Sequence, residues 1–273
     1  MSKPVALTIA GSDPSGGAGV QADLKTFAAH GVYGVSAITA LTAQNERRFE
    51  ILPVSPYFIS AQIDAVYEEF RVNAIKIGML NDKATVETVI EALQRHNKDR
   101  SIMVVLDPIL RTSNGGAVLD EGGVVLLRDE LFPLVNLIKP NLAEAAVLLG
   151  EPLAQNPQQM SDQAARLLKF GCECVLLSGG HLAGPDCVDV LAHASGCASL
   201  YAKKLAVGEV HGTGCTLTSA ITANLAKGHV VSKAVDLARA YLLGILAQKH
   251  QLNKDGAARS LDHMFITDNK SEN

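Results

Sequence analysis

Val5-Ala6-Leu7-Thr8-Ile9-Ala10, running directly into Gly11-Ser12-Asp13-Pro14-Ser15-Gly16-Gly17-Ala18-Gly19, opens the chain with a short apolar run and a glycine-rich turn. An amphipathic stretch over 17–30 follows, so the order reads strand, turn, helix. The same alternation repeats outward from this segment. Further strands are expected at 35–41, 74–78, 102–107, 135–138 and 173–178. Helices are expected at 58–70, 82–96, 121–130, 142–149, 158–170, 214–227 and 231–249. Runs such as Ile102-Met103-Val104-Val105-Leu106 are apolar throughout, as strands covered on both faces are. Strand–helix–strand spacing of this kind implies right-handed crossovers, hence an α/β fold with a mostly parallel central sheet and helices on both sides. Segments 186–191 and 199–205 are expected to pair as a small antiparallel edge. Residues 1–251 read as one domain, and 252–273 as a polar, flexible C-terminal tail.

Composition sets outer bounds. The chain has 273 residues, 48% hydrophobic and 19% charged, enough for a sizeable core and too apolar for bulk disorder. Its 24 Lys+Arg against 28 Asp+Glu give a net charge of −4 with no long basic run, so no nucleic-acid partner is expected. Aromatics make up 4% of the chain and glycines number 23, which suits a small-residue-rich α/β protein better than an antiparallel sandwich. No leader pattern follows Met1, and no apolar run approaches the roughly 20 residues of a membrane span; a soluble, cytoplasmic protein is expected. The five cysteines (Cys172, Cys174, Cys187, Cys197, Cys215) are odd in number and do not look like a disulfide framework. Cys172 and Cys174 lack further ligands at zinc spacing.

Ligands of such a sheet sit beyond the carboxyl ends of the strands. Gly11–Gly19 fits neither a Walker loop, lacking the Lys-Ser/Thr, nor G-x-G-x-x-G. It reads as a connection or as a turn whose glycines allow close backbone approach. Asp23 and Lys25 lie downstream. Gln44, just past an apolar strand, offers donor and acceptor, which suits a heteroaromatic edge with an amino group beside a ring nitrogen; capping is its ordinary alternative. Met79, after Lys76-Ile77-Gly78, is core filler or an apolar wall for a flat ligand. Asp107, before Pro108 at a strand tip, fits a Mg²⁺-associated carboxylate or a helix cap. Asn141 and Glu144 form either a capping box or an amide–carboxylate pair able to orient hydrated Mg²⁺.

His211-Gly212-Thr213-Gly214-Cys215-Thr216 is the most informative segment. Glycines flank a helix start, so unpaired N–H groups and the positive helix end converge into an anion site. Cys215 lies in the first turn, where the helix field is expected to lower its thiol pKa below about 8.5. A buried, inert cysteine is the alternative, and a cysteine-nucleophile hydrolase lacks an evident partner beyond His211.

Taken in order, these blocks, with Gln21-Ala22-Asp23-Leu24-Lys25-Thr26, Thr39-Ala40-Leu41-Thr42-Ala43-Gln44-Asn45 and Gly179-Gly180-His181, resemble the hydroxymethylpyrimidine/phosphomethylpyrimidine kinases, over about residues 5–250. The resemblance implies a ribokinase-like three-layer α/β/α fold and two successive phosphoryl transfers from Mg-ATP in thiamine biosynthesis. The first acceptor would be 4-amino-5-hydroxymethyl-2-methylpyrimidine, the second its monophosphate. It implies that Gln44 bonds the pyrimidine edge, with Gly11, Ala18, Asp23 and Met79 lining the pocket. Gly212, Thr213 and Gly214 would form the anion hole, with Cys215 in the place of a base. Asn141, Glu144 and Asp107 would act through Mg²⁺ and its waters. ATP would lie over the segment 212–245, and a homodimer is the family-level expectation.

Three departures from the family pattern stand out. Ser178 occupies the place of a Lys before Gly-Gly-His, Gly208-Glu209-Val210-His211 replaces a Lys-Asn-Thr-His approach, and Ile109-Leu110-Arg111-Thr112-Ser113-Asn114-Gly115-Gly116 follows Asp107-Pro108. Arg111 or Lys139 would supply part of the lost positive charge. Alternative readings are a pyridoxal/pyridoxine kinase of the same superfamily and a catalytically weak pyrimidine-binding sensor.

Overall fold

The computed structural model describes residues 3–45, 48–111, 116, 118–180, 182, 184–206, 210–248 and 259–264. The elements in chain order are β1 (Val5–Ser12), α1 (Gly19–Ala29), β2 (Tyr33–Asn45), β3 (Arg48–Pro53), α2 (Pro56–Glu69), β4 (Ala74–Ile77), α3 (Lys83–His96), β5 (Met103–Leu106), α4 (Glu121–Leu126) and β6 (Leu137–Ile138). They continue with α5 (Leu142–Leu149), α6 (Pro157–Leu167), β7 (Cys174–Ser178), β8 (Asp186–His193), β9 (Gly196–Lys203), β10 (Val210–His211), α7 (Thr213–Ala226), α8 (Val231–Ala247) and β11 (Arg259–Ser260). Asp82, Ser55 and Asn156 cap α3, α2 and α6 by accepting first-turn N–H groups. The helix expected at 121–130 closes at Leu126 and widens into a π-helical turn, Leu127–Leu131.

Nine strands form one sheet in the order β3-β2-β1-β4-β5-β6-β7-β8-β9. The run from β2 to β7 is parallel, and β7-β8-β9 is antiparallel, as the sequence suggested for that edge. The opposite margin is antiparallel too, because β3 folds back on β2. Successive strand residues point to opposite faces, and the core splits accordingly. Leu7, Ile75, Val104 and Leu106 pack with α2, α3, α5 and α6 on one face. Ala6, Ala74, Val105 and Leu137 pack with α1, α7 and α8 on the other. The result is the three-layer α/β/α arrangement.

β1 sits between β2 and β4, so the chain reverses its direction of winding there. That switch point opens a crevice beyond the carboxyl ends of β1, β4, β5 and β6. The expectation of a loose tail does not hold for residues 259–264. β11 pairs in parallel with β10, and Leu261 and His263 are buried at 6% and 2% exposure. An apolar Leu and a hydrogen-bonded His give this polar stretch something to bury. The rest of the tail, Thr112 to Gly115, His181 and Gly208-Glu209 lie outside the described residues.

Candidate active site

A cavity of about 210 Å³ occupies that crevice. Its glycine-rich wall is organised by Asp13, at the end of β1. Asp13 accepts Ser15 N (2.9 Å), Ser15 Oγ (2.7 Å) and Ala18 N (2.9 Å), and lies 3.0 Å from His211 Nε2. Burial alone would push the Asp13 carboxyl up, but hydrogen bonds from His211, Gln44 and Ser15 outweigh it and hold the group well below the usual carboxylate range. Asp13 therefore ties the loop after β1 to the turn before α7.

That turn is shaped by Gly212, the N-cap of α7, with φ at 84°. A Cβ there would collide with the Gly17 carbonyl oxygen, so the two loops meet backbone to backbone. No side chain caps α7, and its first intrahelical bond runs from Thr216 N to Gly212 O. The N–H groups of Thr213, Gly214 and Cys215 precede it, at the positive end of the helix, beside the cavity.

Cations stand beneath this anion loop. Lys139, 4% exposed, reaches Asp107 Oδ1 at 3.0 Å, and a Cβ on Gly214 would lie 3.4 Å from its Nζ. Asp107 Oδ2 accepts the Thr218 hydroxyl at 3.1 Å. Lys76, fully buried, lies 2.8 Å from Asp23, whose carboxylate also accepts Thr8 Oγ1 and Ser219 Oγ at 2.6 Å each. Glu144 Oε2 accepts Asn141 N at 2.8 Å while Asn141 Oδ1 accepts Glu144 N at 2.9 Å, a complete capping box on α5. Burial raises the Glu144 carboxyl above its ordinary value against the pull of Lys139.

The family model for phosphomethylpyrimidine kinase matches residues 13–259. The chain belongs to this family. It is 42% identical to the hydroxymethylpyrimidine/phosphomethylpyrimidine kinase of Rhizobium meliloti, over 96% of this chain and 97% of that one. It is 44% identical to the enzyme of that name from Escherichia coli, over 90% and 92%. Among solved structures, phosphomethylpyrimidine kinase from Clostridium difficile superposes with a TM-score of 0.77 at 38% identity, covering 88% of this chain and 98% of that one. An ADP complex of Bacillus subtilis pyridoxal kinase gives 0.86 at 32% identity, covering 96% and 98%.

Of the residues that the resemblance to this kinase family singled out, Gly11, Ala18, Gln44, Met79, Asp107, Asn141, Glu144, Gly212, Thr213, Gly214 and Cys215 all line the cavity. Asp23 does not. It lies behind the wall at 0% exposure, committed to Lys76, and touches the site only through that ammonium. The Cys215 expectation is also corrected. Burial pushes its thiol up to about 11, beyond what Lys76 and a hydrogen bond from Gly19 N–H recover, so the resting thiol is neutral. The capping-box reading of Asn141 and Glu144 holds, and both residues also line the cavity. Arg111 and Lys139 line the cavity as well. Ser178 pairs beside Asn141 at the end of β7, its hydroxyl buried without a partner.

Asp13 and Lys76 were given no role by the sequence reading, and His211 only that of a candidate partner for a hydrolase cysteine, yet all three line the cavity. A signal existed for Asp13: an Asp at a strand end before Pro14-Ser15 is an Asx-turn former. Lys76 carried one too, as a lone charge inside an otherwise apolar strand.

Proposed function

We propose that this phosphomethylpyrimidine kinase family member transfers the γ-phosphoryl group of ATP to 4-amino-5-hydroxymethyl-2-methylpyrimidine and then to the resulting monophosphate. The single observation that carries the reading is the convergence on one cavity of Gln44, beside the apolar Met79 and Gly11 wall, with the open N-terminus of α7 and Cys215. Gln44 reads the amino-pyrimidine edge. Ring contact with Met79 turns the hydroxymethyl group toward Cys215 and the anion loop.

In each transfer the acceptor oxygen forms a bond to the γ-phosphorus, the bond from that phosphorus to the bridging oxygen breaks, and ADP leaves. A loose transition state places most of the demand on positioning and charge stabilisation. The N–H groups of Thr213, Gly214 and Cys215 hold the moving phosphoryl oxygens, and Lys139 adds charge from below. In the first transfer the hydroxyl proton leaves late, as its oxygen bonds phosphorus, and passes to a phosphoryl oxygen; Cys215, neutral at rest, contributes its backbone N–H rather than a base.

The donor set bears on Mg²⁺. Asp107 and Glu144 offer hard carboxylate oxygens at one end of the cavity, while no group of three or more His, Cys, Asp or Glu among the described residues could hold a metal. Two carboxylates suit a Mg²⁺ that keeps its waters and binds mainly through phosphates, not an all-protein cage. Bound there, it would neutralise phosphate charge; Asn141 would orient its water shell.

Pyridoxal is a second acceptor worth testing, because the fold follows a pyridoxal kinase with a TM-score of 0.86. No helix among the described residues is long and apolar enough to cross a membrane, and we assign the protein to the cytoplasm. We also expect a homodimer, for which the exposed cross-strand pair Leu41 and Leu52 of the β2–β3 hairpin offers an apolar contact.

The test is competition in one reaction with Mg-ATP. The pyrimidine should be phosphorylated in preference to equimolar pyridoxal, and Gln44→Leu should erase that preference. Preference for pyridoxal would move the assignment to the second reading.

A further inference from the structure

The anion loop is braced by a part of the chain that phosphoryl transfer itself leaves unused. Gly212 has no side chain with which to fix its own carbonyl. That oxygen is held from α7, by Thr216 N at 2.9 Å and Thr216 Oγ1 at 2.8 Å. Thr216 Oγ1 also lies 3.0 Å from His263 Nε2. The Gly212 carbonyl, the Thr216 hydroxyl and the His263 ring therefore form one hydrogen-bonded chain, and His263 Nδ1 lies buried toward the Leu261 backbone.

The backbone around His263 is fixed independently of its ring. The Tyr241 hydroxyl on α8 donates to the His263 carbonyl, and Leu261 is buried beside it. β11 pairs with β10, the two residues that lead into Gly212. Residues 259–264 therefore reach the loop twice, before Gly212 through a backbone ladder and after it through Thr216. Neither Thr216 nor His263 lines the cavity.

We propose that His263 is a positioning residue for phosphoryl transfer, holding the Gly212 turn so that the N–H groups of Thr213, Gly214 and Cys215 keep the orientation the moving phosphate needs. The inference rests on the phosphoryl-transfer reading of the loop. It adds a residue on the far side of α7 to the machinery of that reaction.

The experiment compares the parent chain with His263→Ala, His263→Gln and Thr216→Val. Glutamine keeps an N–H able to reach Thr216, and valine removes the hydroxyl at nearly constant shape. Two quantities are read: kcat and KM for the pyrimidine with Mg-ATP, and amide hydrogen exchange across 212–218. His263→Ala and Thr216→Val should lose about 10- to 100-fold in kcat, the scale of a loop misplaced from its reacting group, with KM little changed and faster exchange. His263→Gln should recover most of both. Unchanged kcat in the alanine variant, whatever its thermal midpoint, overturns the proposal, as does equal loss in the glutamine variant without a change in exchange. If the parent chain phosphorylates no pyrimidine, the functional reading falls, and the exchange comparison alone decides whether His263 positions the loop.

Discussion

Asp13 and His211 stand 198 residues apart in sequence and 3.0 Å apart in the fold, carboxylate to imidazole. The pair closes the glycine-rich loop after β1 onto the anion loop before α7, beside the backbone approach of Gly17 to Gly212, and sets the acceptor side and the phosphate side of the cavity against each other. Ser15, Ala18, Gln44 and His211 all donate to this carboxylate, which is 2% exposed.

Asp13→Ala should cost about 2–4 kcal/mol of stability, since donors to a buried charge lose their acceptor. The pH dependence has a definite sign. A carboxyl held below its unfolded value of 3.8 contributes stability that is present above that value and lost as pH falls through the folded one. Urea unfolding at pH 7 and near pH 3 should show a smaller acid loss in Asp13→Asn than in the parent chain. An equal acid loss would remove Asp13 from this role.

Cys215 should be the slow thiol. It is 7% exposed and its pKa is pushed up to about 11 by burial, whereas Cys197 lies exposed on β9. Limited alkylation at pH 8 followed by peptide mass analysis should label Cys197 well before Cys215. Early labelling of Cys215 would restore the thiolate expected from its place in the first helical turn.

Removing one partner of the Lys76–Asp23 pair should be far worse than removing both. Lys76→Met leaves a fully buried carboxylate unpaired, a loss of about 3–5 kcal/mol. Lys76→Met with Asp23→Leu should recover much of it, although Thr8 and Ser219 then lose their acceptor. Chemical denaturation of the two single variants and the double one gives the coupling directly.

Gly212→Ala should abolish turnover while leaving the sheet intact. Its φ of 84° and its contact with the Gly17 carbonyl leave no place for a Cβ. Gly122→Ala, in α4 with the nearest atom to a built Cβ at 3.8 Å, is the matched control and should be neutral or slightly stabilising. Full activity in Gly212→Ala would show that the anion loop does not need this backbone shape.

The sheet was legible because its buried strands are apolar on both faces: Met103–Leu106 and Cys174–Ser178 stand out against polar flanks. β3 was not, since Arg48 to Pro53 alternates exposed and half-buried residues and ends in proline, and only its pairing with β2 makes it a strand. The site residues were legible as blocks at strand ends, but not their depth. Asp23 and Gln44 are both polar residues after the first strand, and nothing in the sequence says that one faces Lys76 behind the wall and the other faces the cavity. The thiol of Cys215 was misjudged for a related reason: a helix start is a local feature, whereas the burial that outweighs it comes from elements distant in sequence that pack against α7. His263 sits in a polar tail whose packing depends on Thr216 and Tyr241, far away in sequence.

Phosphorus NMR of the purified protein with Mg-ATP and the hydroxymethylpyrimidine tests the central claim most directly. The account predicts a monophosphate ester signal that rises first and then gives way to the paired resonances of a diphosphate, with ADP accumulating throughout. ATP left intact, or hydrolysed to free phosphate with no pyrimidine ester formed, would contradict it.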